Sequence, residues 1–373
     1  MDYKDAPDFR TYPEIRSILV IHALKAVFWT GFSEMPTRSF HFPDDFRHIE
    51  AILNSEDPQL DVSQFQKFRD RGIAPLLTSL DIAIVLGVGP QLIVSIMKKK
   101  ERHYRSFPLL KKDGTERIIS APRVYLKVIQ WWILENILSK LPSQKNAFGF
   151  SRNKSIQDNA RFHAGSKHIL NVDIRSFFDT VTECQVQEIF VKLGYSEETS
   201  ETLSSLCTLN GSLPQGAPTS PSLANLVLAD TDDKLENLAT TRGMKYSRYA
   251  DDITFSSDEF IAADFHLEVE KFLRVSGFQL KSAKTRYAGS GNRREVTGLI
   301  CGKFVQPPLQ WRKNSRARVH KLGKKPSLEK EDVAYLLGIR GYAMQFPDAV
   351  QMKALLTSAD ALLAGQQHDK KPV

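Results

Sequence analysis

The chain has 373 residues, 42% hydrophobic and 25% charged, enough apolar material for one large core or for two to three subdomains. A net charge of +8 and an isoelectric point near 9.2 favour a polyanionic partner. Cys184, Cys207 and Cys301 stand apart without Cys-x-x-Cys spacing, which argues against structural zinc or a disulfide framework and suits a reducing cytoplasm.

Residues 1–70 combine an amphipathic stretch, Ile15 to Phe28, with a Pro- and Asp-rich segment from Met35 to Asp61. The apolar run Ile18 to Phe32 is broken by His22 and Lys25, so neither a membrane span nor a signal peptide is expected there. Helical text follows at Leu76–Leu80, Ile82–Leu86 and, after Gly89-Pro90, Leu92–Met97. Asp113-Gly114 is a hairpin signal between β-rich arms that run from Tyr104 to Pro122. Val124 to Leu138 reads as a helix whose apolar face holds Ile129, Trp132 and Ile133. From about 145 to 300 strand and helix text alternate, with helices expected at Ala224–Leu238 and Phe265–Val275, the second ended by Gly277. Beyond 300 the text is helical and basic, clustered from Arg312 to Lys325, and Gln366 to Val373 reads as a polar, fraying end.

The chemistry concentrates in Tyr249-Ala-Asp-Asp252, placed between two short segments with strand-like alternation. Adjacent carboxylates at a hairpin tip repel unless cations neutralise them, and hard cations such as Mg2+ take carboxylate oxygens. An Asp-Asp pair alone is ordinary, and Asp44-Asp45 and Asp232-Asp233 read as solvated surface. The pair at 251 differs in its apolar flanks and in a third carboxylate upstream. Ile169, Leu170 and Val172 form a β-prone run that ends on Asp173, so two neighbouring strands are expected to bring Asp173 and Asp251 to one sheet edge.

Tyr-Ala-Asp-Asp after an upstream Asp-x-x-x-Phe-Phe resembles the palm of a reverse transcriptase. In chain order, Leu213–Pro221 resembles the motif B loop, Gly277–Thr285 resembles motif D, and the hairpin at 113 looks like the fingers hairpin. Asn159-Ala-Arg-Phe-His163 and Val296-Thr-Gly298 fit the Asn-Ala-x-x-His and Val-Thr-Gly signatures of bacterial retron reverse transcriptases. Taken alone, Asn159 and His163 share a helix face and read as a satisfied core or surface pair.

The resemblance spans roughly residues 76–340 and implies an α+β right-hand polymerase with fingers, an antiparallel sheet-plus-helix palm and a helical thumb. Residues 1–70 would then be an N-terminal extension, 71–300 fingers and palm, and 301–373 the thumb and tail. It implies two Mg2+ ions on Asp173, Asp251 and Asp252, with Lys284 as general acid. Lys281 stands where the family usually has Asn, which leaves the motif D geometry less defined. Phe178 would exclude a 2′-hydroxyl, Gln215 and Gly216 would support the nascent pair, and Arg117 with Lys112 would contact the incoming triphosphate. RNA contacts would fall to Asn159, His163, Val296, Thr297, Gly298, Arg312, Arg316 and Arg318. The implied partners are deoxynucleoside triphosphates, a cognate structured noncoding RNA, its branched RNA–DNA product (msDNA) primed from an internal guanosine 2′-hydroxyl, and an effector protein of anti-phage defence. Two alternatives stay open: another prokaryotic reverse transcriptase (group II intron or diversity-generating type), or a catalytically idle RNA- or effector-binding scaffold. No Cys/His array follows the expected thumb, and all three carboxylates are present.

Overall fold

The computed structural model describes residues 45–56, 62–110 and 114–368. The stretch read as helical at Ile15–Phe28, Lys112 and the tail after residue 368 lie outside the described residues. The chain forms two compact units, Met1–Pro142 with Phe178–Val227, and Ser143–Phe177 with Leu228–Val373.

In the first unit, β1 (Tyr104–Leu110) and β2 (Glu116–Pro122) pair antiparallel, Tyr104 opposite Pro122 and Leu110 opposite Glu116. Gly114, at φ +80°, takes the left-handed conformation the turn needs. The helix Val124–Asn136 buries Leu126, Ile129, Trp132 and Ile133, the face its spacing predicts. Gln130 of the same helix donates to both the Leu206 carbonyl and the Tyr104 hydroxyl, each at 2.8 Å. The described part of the N-terminal extension joins this core. Ile49 and Leu53 of the helix Phe46–Glu56 are buried, and fully buried Phe68 stacks on Tyr195.

The second unit is built on a four-stranded antiparallel sheet ordered β4-β5-β3-β6, with β3 His168–Asp173, β4 Lys245–Tyr249, β5 Asp252–Ser257 and β6 Arg286–Ala288. One face is aromatic: Tyr246 lies opposite Phe255, which meets Phe265 of the helix Ala263–Val275 edge-on at 4.9 Å. Gly277, at φ +85°, ends the backbone run after that helix. The opposite face carries a polar seam, Ser247, Thr254 and Asn171 side by side in register.

A small sheet of β7 (Glu295–Val296), β8 (Leu299–Cys301) and β9 (Val305–Gln306) precedes three helices, Leu309–Leu322, Lys330–Ala343 and Val350–His368. One apolar core joins Ala160, Ile169, Val296, Leu299 and Cys301 to Val319, Leu336, Phe346 and Met352 of that region. Where a single helix is expected over Ala224–Leu238 there are two, Ser220–Val227 and Ala229–Thr241. Leu228, at φ −82° and ψ −4°, separates them and caps the second, its carbonyl accepting from the Asp232 amide at 2.7 Å.

Candidate active site

Buried Ile169, Leu170 and Val172 fix β3 in the sheet and carry Asp173, itself only 4% exposed, to the strand end. There Asp173 lies directly opposite Asp252, the first residue of β5. Tyr249 pairs with the same Asp252, so Ala250 and Asp251 make a two-residue hairpin loop. Ala250 sits at φ +58°, a left-handed conformation that costs a non-glycine residue energy and needs support. Support comes from below, where a Cβ on Gly149 would lie 2.4 Å from the Ala250 nitrogen, so only glycine fits. The Ile174 amide donates to the Asp251 carbonyl at 2.9 Å, tying the loop to the end of β3.

Three carboxylates therefore meet at one sheet edge. Burial of the Asp252 carboxyl, followed by the charges of Asp251 and Asp173, pushes its pKa up to about 7, although the residue keeps an exposed edge. The Lys281 amide donates to the Asp173 carbonyl at 2.8 Å and brings the following turn, Ser282–Lys284, alongside. Because that contact is made by backbone, the Lys281 departure from the family pattern leaves it intact. The Lys284 ammonium forms an ion pair with the Asp173 carboxylate. Burial lowers the Lys284 pKa, but Asp173 and then Asp251 and Asp252 outweigh it and hold the group above its ordinary value.

Among the described residues no three His, Cys, Asp or Glu side chains stand as a ready-made metal cage. Mg2+ does not require one, since it usually takes one or two carboxylates and completes its octahedron with water and substrate phosphates. All-oxygen donors and a carboxyl whose pKa is raised by burial and then by like charge fit a hard cation that would neutralise them.

Asn159 and His163, expected to touch RNA, are 1% and 0% exposed and cannot reach it from these positions. They fasten the helix Ile156–Phe162 to the polar seam of the sheet. Ser166 donates to Ser256 at 3.1 Å, and Ser247 donates to the Asn159 Oδ1 at 2.6 Å. His163 bridges the two, with Nδ1 and Nε2 each 2.7 Å from the Ser256 and Ser247 hydroxyls. With Ser247 already donating, Nε2 must carry the proton and Nδ1 must accept. Burial, with a smaller push from Lys245, drives the His163 pKa down to about 3.

Val296 is equally buried, at 1% exposed. Thr297 and Gly298, at φ +47° and +78°, are the two left-handed residues of the β7–β8 turn, and the Thr297 hydroxyl donates to the Ile156 carbonyl at 3.1 Å. The two signatures thus meet at one helix. Of the basic residues expected on RNA, Arg312 is held by the Pro307 carbonyl at 3.0 Å and by Gln351. The Arg318 guanidinium stacks 3.7 Å from the Tyr335 ring, and Arg316 is exposed.

In the first unit, Arg117 is exposed on β2 opposite Leu109. The Gln215 carbonyl accepts from the Ser120 amide of the same strand at 2.8 Å. Gly216 has φ +131°, and a Cβ there would meet the Ser120 carbonyl at 2.9 Å, which accounts for its glycine. Phe178 is half-buried, whereas Phe177 beside it is buried.

Asp232, expected on solvated surface, is 3% exposed and pairs with buried Arg248, whose Nη2 lies 2.6 Å from its Oδ2; the sequence pattern alone does not single out Arg248. Only with Tyr246 known to face the core does Arg248, on the same strand face, demand a buried partner, as a charge there must.

The reverse transcriptase (RNA-dependent DNA polymerase) family model matches residues 109–325, more than half of the chain. The chain belongs to the reverse transcriptases, and its α+β architecture with an antiparallel sheet is that of the right-hand polymerases. It is 33% identical to the retron Ec86 reverse transcriptase of Escherichia coli, over 70% of this chain and 84% of that protein. It is 32% identical to the retron Mx162 reverse transcriptase of Myxococcus xanthus, over 84% and 74%, and 32% identical to the Mx65 enzyme of the same organism, over 78% and 72%. Within the family, then, the chain is of the bacterial retron type and is an RNA-directed DNA polymerase. A sicinivirus RNA-dependent RNA polymerase among solved structures has a TM-score of 0.42 and 10% identity, over 76% of this chain and 67% of that one. No helix among the described residues is long and apolar enough to cross a membrane.

Proposed function

We propose that this reverse transcriptase copies part of a cognate structured noncoding RNA into DNA from an internal guanosine 2′-hydroxyl, leaving a branched RNA–DNA product, and acts in the cytoplasm with an effector protein in anti-phage defence. The observation that carries the catalytic part is the register of Asp173 against Asp252 with Asp251 in the adjoining turn. The retron relatives support the choice of RNA and of product.

Asp173, Asp251 and Asp252 would hold two Mg2+ ions, which when bound lower the pKa of the attacking hydroxyl and neutralise the triphosphate. Lys284, paired with Asp173 and held protonated at neutral pH, would give a proton to the departing pyrophosphate. Phe178 would lie under the sugar and exclude a 2′-hydroxyl, and Arg117 and Lys112 would neutralise the triphosphate. Gln215 and Gly216 would back the nascent pair from a loop anchored on β2. RNA would be gripped by exposed Arg316 and its neighbours and approached by the Thr297-Gly298 turn. Asn159, His163 and Val296 act from beneath by holding that turn's helix and the sheet in place.

The test has two arms. Asp251→Asn and Asp173→Asn should each lower DNA synthesis by several orders of magnitude while RNA binding stays near wild type; normal primer extension by either would overturn the site. DNA made by the wild-type enzyme on its co-purified RNA should stay joined through a debranching-sensitive 2′-5′ linkage. Only 3′-5′ junctions would overturn the branched product.

A further inference from the structure

We infer that Arg248, held by Asp232, is a positioning residue for the carboxylate hairpin: its guanidinium fixes the left-handed Ala250 and through it the setting of Asp251 and Asp252. This rests on the reading of those aspartates as the catalytic carboxylates.

Among the described residues Arg248 is the largest fully buried side chain, at 0% exposed. A buried guanidinium is costly unless every donor is used. Nε and Nη2 engage the two oxygens of Asp232 at 2.7 and 2.6 Å, a bidentate fork. Tyr246, two residues earlier on the same strand face, donates its hydroxyl to Asp232 Oδ1 at 2.5 Å. The remaining arm, Nη1, donates to the Ala250 carbonyl at 3.1 Å. The fork thus fixes the plane of the guanidinium, and the plane aims one donor at the peptide that links Ala250 to Asp251.

The backbone around Arg248 is fixed as well. Its carbonyl accepts from the Phe148 amide at 2.7 Å and its amide donates to the Asn146 carbonyl at 2.9 Å, so residues 146–148 cover the outer edge of β4. Gly149 follows at once and closes under Ala250. A two-residue loop with a strained alanine and two like charges has reason to relax, and the Arg248 arm and the Gly149 contact oppose that. Lysine cannot replace arginine here, because one ammonium cannot span a carboxylate and a carbonyl in a fixed plane.

Two variants test this, Arg248→Lys and the charge-neutral pair Asp232→Asn/Arg248→Gln, with Asp251→Asn as control. Each is confirmed folded by circular dichroism at the assay temperature. Three quantities are measured: the single-turnover rate of nucleotide addition, the Kd for primer–template, and Mn2+ affinity without substrate by electron paramagnetic resonance. Both variants should add nucleotides about ten- to a hundredfold more slowly, because a sub-ångström to ångström displacement of reacting groups costs that much. Mn2+ affinity should fall with the rate, while primer–template Kd stays within about twofold, a split that a general loss of folded protein would not give. A wild-type rate and wild-type Mn2+ affinity in a folded variant would overturn the inference. If the neutral pair fails to fold, Arg248→Lys alone decides by the same criteria. Full activity of Asp251→Asn would instead overturn the assignment of the carboxylates, leaving the two failures distinguishable.

Discussion

His163 is neutral in the folded protein because it is buried and because its chain of serine hydroxyls runs in one direction, from Ser166 through Ser256 to Nδ1 and from Nε2 through Ser247 to Asn159. Its folded pKa, about 3, lies below the unfolded value of 6.5. Below pH 6.5 the unfolded chain therefore binds a proton that the native protein refuses. Stability is fully present above that pH and falls, by up to about 1.4 kcal/mol per pH unit from this group, down to about pH 3. Urea unfolding of wild type and His163→Gln at pH 7, 6 and 5 should show the pH-linked loss reduced in the variant, whatever its baseline stability. Equal slopes would mean that His163 titrates normally. Phe178→Ala, which enlarges a half-buried position without touching the carboxylates, should relax discrimination against ribonucleotides in a competition assay. Unchanged preference would make Phe178 a packing residue. At this scale the sequence shows residue types well and environments poorly. Asp173, Asp251 and Asp252 are legible because three carboxylates in strand text have few other uses. Asn159 and His163 share a helix face by spacing, but only the fold shows that the face is turned inward onto Ser247 and Ser256.

Elements follow from pattern where one face is apolar. Val124–Asn136 buries the residues its period predicts, and the β1–β2 hairpin pairs around the Asp113-Gly114 signal. Asp232 reads as solvated surface for the complementary reason: the 229–241 helix is polar enough to suggest solvent, and its buried carboxylate makes sense only with Arg248 opposite. The helix Lys330–Ala343 holds two glycines in its interior, Gly338 and Gly341, neither at positive φ and neither with an atom within 4 Å of where a Cβ would stand. Each costs helix stability through backbone entropy and gains nothing from packing against the described residues. Gly338→Ala and Gly341→Ala should therefore each stabilise the protein by about 0.5–1 kcal/mol. Chemical denaturation measures this directly, and destabilisation would mean that the helix packs more closely than its surface shows.

Across the whole chain the excess of eight positive charges is sequence-level information, but which charges face a polyanion is not. The helix Leu309–Leu322 buries Ser315, Val319 and Leu322. The opposite side leaves Lys313, Arg316 and His320 exposed at i, i+3 and i+7, one continuous stripe. Arg318 lies off that stripe with its guanidinium on Tyr335, and Arg312 is occupied by Pro307 and Gln351. Two arginines six residues apart on one basic helix are thus assigned to the protein's own packing, and the residue between them to its surroundings. Phosphate contacts release counterions, so each one lost should shallow the slope of log K against log salt by about 0.7–0.9. Arg316→Ala should weaken cognate RNA binding with such a change in slope and leave stability within about 0.5 kcal/mol. Arg318→Ala should behave in the opposite way, losing about 0.5–1 kcal/mol of stability as the cation–π contact of this exposed side chain goes, with little change in salt slope. A filter-binding salt titration paired with urea unfolding of both variants separates the two roles, and matching slopes for Arg316→Ala and wild type would remove Arg316 from the RNA interface.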